Sequence, residues 1–216
     1  MSTSTRHPSV RRVLAEAGTT YCEQAGFTLK DSPAALYQLV VLAMLLAKPI
    51  SPDLAVAAAG ELRRAGATTP AGMVRMTWQQ RVDALGRGHY RRYDESTATT
   101  LGKAAAVIRD EYRADLRHLR HAAQGDSRRA AELLTDVPGI GPAGADIVLR
   151  EAQRVWPWAR PYVDDRTVSG ARRLGFAHSR EAVARLLTRS GDEAALAAAL
   201  VRVTVDDDLA EHLNPA

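Results

Sequence analysis

The sequence predicts an all-α protein, and three observations support this fold class. Alanine-rich runs with helical hydrophobic spacing alternate with short breaks of Gly, Pro and Asp, and no convincing set of strands interrupts them. The contents of 46% hydrophobic and 25% charged residues are typical of a soluble globular protein. At 216 residues, the chain is long enough for one large domain or two small domains with cores of their own.

Composition excludes several classes of protein. The net charge of +4 is compatible with a nucleic-acid face but is not specific to one. Cys22 is the only cysteine, which excludes an intrachain disulfide and a four-cysteine iron–sulfur cluster, and we expect a buried side chain there. No apolar run approaches the ~20 residues that span a bilayer. Residues 1–8 lack the apolar region of a signal peptide, so we expect a cytoplasmic protein without a membrane partner.

Hydrophobic spacing and capping residues divide the chain into helices. The helix expected at 34–47 is apolar on nearly every face, which predicts the central buried helix. It follows Ser32-Pro33, a capping side chain with proline in the first turn. Residues 1–8 are expected to fray, and 205–208 to form a solvated acidic tail. The other helices are expected at 9–26, 54–65, 69–76, 78–85, 97–111, 115–123, 128–136, 145–155, 166–174, 180–189 and 193–203.

A glycine-rich turn separates the helices expected at 128–136 and 145–155. Glycine accepts positive φ and lets another backbone approach closely. We therefore expect the turn to present the N–H groups of Gly139, Gly141 and Ala143 at the start of the second helix, where free amides bind a phosphate. An ordinary αα-hairpin with a glycine-rich corner remains the alternative at this point.

A further helix begins after Tyr162-Val163-Asp164-Asp165-Arg166 and ends Arg-Arg-Leu-Gly. A Val-Pro-Gly-Ile-Gly turn, an Ala-Asp-Ile-Val-Leu helix and a Val-Asp pair follow one another along the chain. This order of motifs resembles that of the helix-hairpin-helix DNA glycosylases. This superfamily includes endonuclease III and the adenine-mismatch glycosylase. The motif covers Leu133–Gly175, and the upstream helices extend the match to about Ser32. The resemblance implies two helical lobes with the active site in the cleft between them, a barrel domain at 32–150 and a second domain from 1–31 and 151–216.

The resemblance also implies chemistry. Asp164 takes the position of the catalytic aspartate, with Asp165 as the open alternative, and Asp164 can cap its helix at the same time. Ala143 stands where strand-nicking relatives carry lysine, so we expect a monofunctional, water-using glycosylase. Its partner would be double-stranded DNA with a damaged or mismatched base. Family hairpins bind potassium or sodium through backbone carbonyls, which correspond by position to Thr135, Val137 and Ile140; no other cofactor is expected.

The basic and aromatic loop 86–94 adds further candidates, since arginines contact phosphates and rings stack on bases. The tyrosines could instead pack on the core. Ile50 in the loop after the central helix is either an apolar wedge or a buried anchor. The pocket candidates are His89, Tyr90 and Tyr93, and the DNA-contact candidates are Gly139, Gly141, Ala143, Lys48, Ile50, Arg87, Arg91, Arg92 and Arg166.

A second class of function remains open, because helix-hairpin-helix units also serve as non-catalytic DNA clamps. Asp164 at a helix start favours the glycosylase, since a clamp does not need this carboxylate or the long helical scaffold upstream. We expect a monomer that associates with the nucleoid when it acts on DNA.

Overall fold

The computed structural model describes residues 7–214, and every regular element in that range is helical. Residues 1–6, for which fraying was expected, lie outside the described range. None of the helices in the described range is long and apolar enough to cross a membrane. The elements are α1 (Val10–Ala17), α2 (Tyr21–Gln24), α3 (Pro33–Leu46), α4 (Pro52–Arg64), α5 (Pro70–Arg75), α6 (Trp78–Arg87), α7 (Asp94–Glu111), α8 (Arg117–Ala122), α9 (Ser127–Thr135), α10 (Pro142–Ala152), a 3-10 turn (Pro157–Ala159), α11 (Asp165–Arg173), α12 (Arg180–Ser190), α13 (Glu193–Arg202) and α14 (Asp207–Leu213).

The chain forms two compact units. A central unit spans Tyr21–Trp158, and a terminal unit combines the residues up to Thr20 with those from Ala159 onward. Residues 21–31 and 151–158, which the sequence analysis placed with the chain ends, thus lie in the central unit.

Two long-range contacts explain why these flanking segments join the central unit. The carboxylate of Glu151 accepts the backbone N–H groups of Tyr21 at 3.3 Å and Cys22 at 3.1 Å. The indole Nε1 of Trp156 donates to Asp31 Oδ1 at 3.1 Å. Both contacts join residues more than a hundred positions apart, so local sequence patterns do not reveal them.

The central unit is organised around α3. Ser32 caps this helix by accepting from Ala35 N–H, and the helix is buried on nearly all sides, as its apolar sequence predicts. Helices α4 and α10 pack against it. Beside this layer, α6 packs on both α4 and α7, and α5 packs on α7. Cys22 is buried as expected, and burial raises the pKa of its thiol.

The terminal unit is built on α13, which packs against α1, α11 and α12. Its core includes Val13, Leu174 and Leu196. The backbone of α11 approaches α13 so closely that a Cβ at Gly170 would lie 1.8 Å from the carbonyl oxygen of Leu200. Glycine at this position is therefore required for the spacing of the two helices.

One expected helix is interrupted, and one helix was not predicted. The helix expected at 9–26 is interrupted, since α1 ends at Ala17. Arg202 stabilises this end by donating to the carbonyl of Ala17 and, at 2.8 Å, to that of Thr19. Residues 205–208 are exposed, as expected of a solvated acidic segment, but the sequence analysis did not predict the helix α14 that begins within it. Asp206 accepts from Leu209 N–H and caps α14, which buries Ala210 and Leu213.

Glu151 provides a test of how the central unit is held together. Glu151→Ala removes the acceptor of two buried amides, each worth about 1–3 kcal/mol when left unpaired, so we expect the free energy of unfolding to fall by about 2 kcal/mol or more. Urea denaturation followed by circular dichroism measures this. Glu132→Ala is the matched control, because that carboxylate pairs with Arg129 on the surface of α9, and little change is expected. Equal stability of the two variants would contradict the capping role.

The burial of Glu151 also predicts that the free energy of unfolding depends on pH. Burial raises the pKa of Glu151, so the folded state retains this proton at pH values where the unfolded chain has lost it. Its contribution to the free energy of unfolding therefore decreases as the pH rises from the unfolded pKa through the raised folded pKa. Glu151→Gln has no proton to lose and should lack this part of the dependence. A stability difference between Glu151→Gln and the wild type that stays constant with pH would exclude this linkage.

Candidate functional site

The turn between α9 and α10 is fixed by packing at Gly139. This residue has a φ of +86°, which favours glycine. A Cβ there would lie 2.5 Å from Thr100 Cγ2 on α7 and 2.8 Å from Met44 Cε on α3. The turn thus rests directly on side chains of two helices of the central unit, and a Cβ at this position would require these side chains or the turn to move.

The same turn presents free backbone donors. Gly141 is the N-cap residue of α10 and has no side chain to cap it, and Pro142 begins the helix. Within residues 7–214, no hydrogen bond is donated by the N–H groups of Gly139, Gly141 or Ala143. All three residues are exposed, and a Cβ at Gly141 would meet only open space. This geometry has the free amides and positive dipole end that suit a phosphate.

The carbonyls predicted to bind an alkali cation belong to this turn and the end of α9. The Val137 carbonyl accepts the N–H of Ile140 at 3.0 Å, which leaves its second lone pair. Neutral carbonyl oxygens are suitable ligands for potassium or sodium, so the donor set of Thr135, Val137 and Ile140 fits such an ion. The site stays a prediction.

Asp164 is a buried carboxylate held at a helix start. It is only 4% exposed and is the N-cap residue of α11. Its Oδ1 accepts the N–H of Thr167 at 2.7 Å and the hydroxyl of Thr167 at 2.8 Å. Thr167 is itself fully buried, so the carboxylate is fixed by a residue that has no room to move.

Asp165 has the opposite environment. Its side chain is 98% exposed and pairs with Arg180 Nη2 at 2.7 Å. The other amino group of Arg180 donates to the carbonyl of Val163. Arg180 therefore contacts the residues on both sides of Asp164, and Asp165 serves as its counter-ion on the surface.

The three pocket candidates of loop 86–94 differ in exposure. Tyr90 is 2% exposed and belongs to the core, and burial raises the pKa of its hydroxyl. For this residue the alternative interpretation, a tyrosine packed on the core, is the one that the structure has. Tyr93 is half-buried, and the Arg92 guanidinium carbon lies 5.3 Å above its ring. His89 is exposed with a φ of +60°.

Most of the predicted DNA-contact side chains are exposed, and only one of them forms a salt bridge with another residue in the range 7–214. Arg87 pairs with Glu61 Oε2 at 3.1 Å, and this hydrogen bond is the main cause of a lowered Glu61 pKa. Within residues 7–214, the side chains of Arg91 and Arg166 form no hydrogen bond or ion pair. Lys48 is exposed, whereas Ile50 is half-buried.

Sequence reasoning missed two residues near Asp164. Thr167 had a local signal, because an N-cap carboxylate normally accepts from the residue three positions later. Arg180 had none, since it reaches Val163 and Asp165 only after α12 folds back toward the start of α11.

Comparison with known proteins gives the fold. No family model and no curated protein matches the chain. A solved endonuclease III in a non-covalent complex with DNA superposes with a TM-score of 0.54 at 16% identity, covering 90% of this chain and 80% of that one. A trapped covalent endonuclease III–DNA intermediate covers 90% of this chain and 85% of that one, with a TM-score of 0.49 and 16% identity. The expected fold class is therefore confirmed: the chain has the all-α fold of endonuclease III.

Proposed function

We propose that this protein is a monofunctional DNA glycosylase that removes a damaged or mismatched base from double-stranded DNA. The observation that carries the proposal is Asp164, a buried carboxylate fixed by Thr167 at the start of α11 in a chain with the endonuclease III fold. A backbone clamp without catalysis would not need this carboxylate.

The proposed chemistry begins with extrusion of the nucleotide, since a base inside the duplex is out of reach. Cleavage of the N-glycosidic bond then builds positive charge on the sugar, as in other glycoside hydrolyses. The Asp164 carboxylate stabilises this charge and orients the attacking water. Because the carboxylate is buried and already held by two hydrogen bonds, little reorganisation is needed as the charge develops.

The proposed DNA contact is the α9–α10 turn. Its free amides would hold a backbone phosphate without reading sequence, and the exposed Arg91 would add a charged contact. A potassium or sodium ion on the carbonyls of Thr135, Val137 and Ile140 would add positive charge beside the same phosphate. We further propose that the protein has no iron–sulfur cluster, because Cys22 is the only cysteine, and that it acts as a monomer.

A panel of duplexes, each with one damaged or mismatched base, tests the proposed activity. Incubation with the protein followed by hot alkali should cleave one or a few of these duplexes at the abasic site. Duplex binding without base release on any substrate would favour the non-catalytic clamp instead.

Asp164→Asn tests the catalytic carboxylate. The asparagine keeps an N-cap acceptor for Thr167 but removes the charge, so folding and DNA binding should persist. We expect base release in single-turnover assays to fall by about 10²–10³-fold or more, since the developing cation loses its counter-charge. Asp165→Asn is the matched control and should cost much less, because that side chain is exposed and paired with Arg180. The reverse ranking would assign the role to Asp165.

Gly141→Leu tests the close approach of DNA to the turn. Gly141 has a negative φ and open space around its Cβ position, so the substitution should leave the fold intact but place a side chain over the free amides. We expect weaker duplex binding on every sequence, measured by fluorescence anisotropy at low salt. Ala122→Leu adds the same side chain to an exposed position on α8 and should bind as the wild type does. Gly139 is unsuitable here, because its substitution disturbs the core.

Borohydride trapping tests the monofunctional mechanism. Ala143 occupies the exposed start of α10 and has no amine to form a Schiff base with the sugar. On a confirmed substrate, we expect base release without a borohydride-dependent protein–DNA adduct on a denaturing gel. A trapped adduct that forms at the rate of base release would show a lyase mechanism.

A further inference from the structure

An open groove on the central unit lies between α5, α6 and α7. It has a volume of about 360 Å³ and is lined by Val74, Trp78, Arg81, Thr99, Gly102, Lys103 and Ala106. Only three large hydrophobic residues are exposed in residues 7–214, and two of them, Trp78 at 41% and Val74 at 36%, lie in this groove. Such a concentration of exposed apolar surface marks a contact site.

The tryptophan is held in one orientation. Its indole Nε1 donates to Thr99 Oγ1 at 3.0 Å, and the Thr99 hydroxyl in turn donates to the Glu95 carbonyl at 3.0 Å. The ring edge is thus anchored to α7 while the ring remains exposed. A fixed aromatic side chain loses little conformational entropy when it is covered, which favours its use as a binding anchor.

The charges in the groove have a single sign. Arg81 donates from Nε to the Ala98 carbonyl at 2.9 Å and from Nη1 to the Met76 carbonyl at 2.7 Å. Its Nη2 makes no hydrogen bond to any residue in the range 7–214, and a Cβ at Gly102 would lie only 3.0 Å from it. Glycine inside α7 therefore leaves this nitrogen room, and the exposed Lys103 adds a second cation. None of the lining residues is acidic.

We propose that this groove docks an acidic peptide segment of a partner protein, with an apolar side chain against Trp78 and Val74 and a carboxylate toward Arg81 Nη2 and Lys103. The combination matches the composition of protein interfaces, in which tryptophan and arginine dominate the binding energy. A nucleic acid fits less well, since a phosphate backbone calls for a row of cations, whereas this groove offers two beside a largely apolar lining. The inference is independent of the proposed glycosylase activity.

A labelled peptide provides the test. The probe is a nine-residue peptide with two leucines among aspartates, and the control peptide has lysines in place of the aspartates. Titration of the full-length protein should show saturable binding of the acidic peptide, weakened by salt, and none of the basic one. Trp78→Ala and Lys103→Glu should each weaken binding at least tenfold. The first removes the apolar contact to the peptide, and the second replaces an attractive charge with a repulsive one. Arg81 is left unchanged, because it also holds the end of α5.

Lys30→Glu is the matched control, as Lys30 is an exposed lysine of the central unit outside the groove, and it should bind as the wild type does. Circular dichroism checks that the variants fold, and because Lys103 is exposed, its variant remains informative even if Trp78→Ala is unstable. Absence of acidic-peptide binding at millimolar protein would overturn the proposal. So would displacement of the peptide by a single-stranded oligothymidylate whose binding also depends on Trp78 and Lys103, which would make the groove a nucleic-acid surface.

Discussion

The position of the α9–α10 turn depends on the absence of a side chain at Gly139. Its positive φ turns the chain, and its bare Cα lets the turn rest on Met44 of α3 and Thr100 of α7. Because α3 is the buried centre of this unit, the position of the turn is set by its packing on the core as well as by its own hydrogen bonds. The free amides at Gly141 and Ala143 are therefore presented by a rigid base, and this rigidity is what a backbone clamp needs.

In the terminal unit, the capping of α11 and the proposed chemistry use the same carboxylate. A helix N-terminus stabilises negative charge, and the two hydrogen bonds from Thr167 fix where that charge lies. The close approach of Gly170 to Leu200 fixes α11 on α13, so the cap position is set by helix packing as well as by local bonding. The interactions that make Asp164 a helix cap also hold its carboxylate in one position, which explains how a structural motif can also supply a reactive group.

The sequence predicted what local patterns encode. The apolar run of α3, the glycine turn and the capping role of Asp164 depend on neighbours within a few positions, and the structure contains all three. The misjudged features depend on distant contacts. The break after α1 is stabilised by Arg202 from the other end of the chain, and residues 21–31 join the central unit through Glu151 and Trp156. A regular pattern says which face of a helix is apolar, but it does not reveal which distant side chain reaches a helix end.

The arginines of loop 86–94 illustrate how similar residues acquire different roles. Arg87 is paired with Glu61, so a phosphate contact would have to replace an existing ion pair. Arg92 lies over the ring of Tyr93, where stacking restricts the guanidinium while its edge remains free for acceptors. Arg91 has no such partner in the described part of the chain, so a phosphate could pair with its guanidinium without breaking an existing ion pair. The proposed phosphate contact therefore falls first to Arg91, and Arg87 could join it by exchanging a surface ion pair, which is weak.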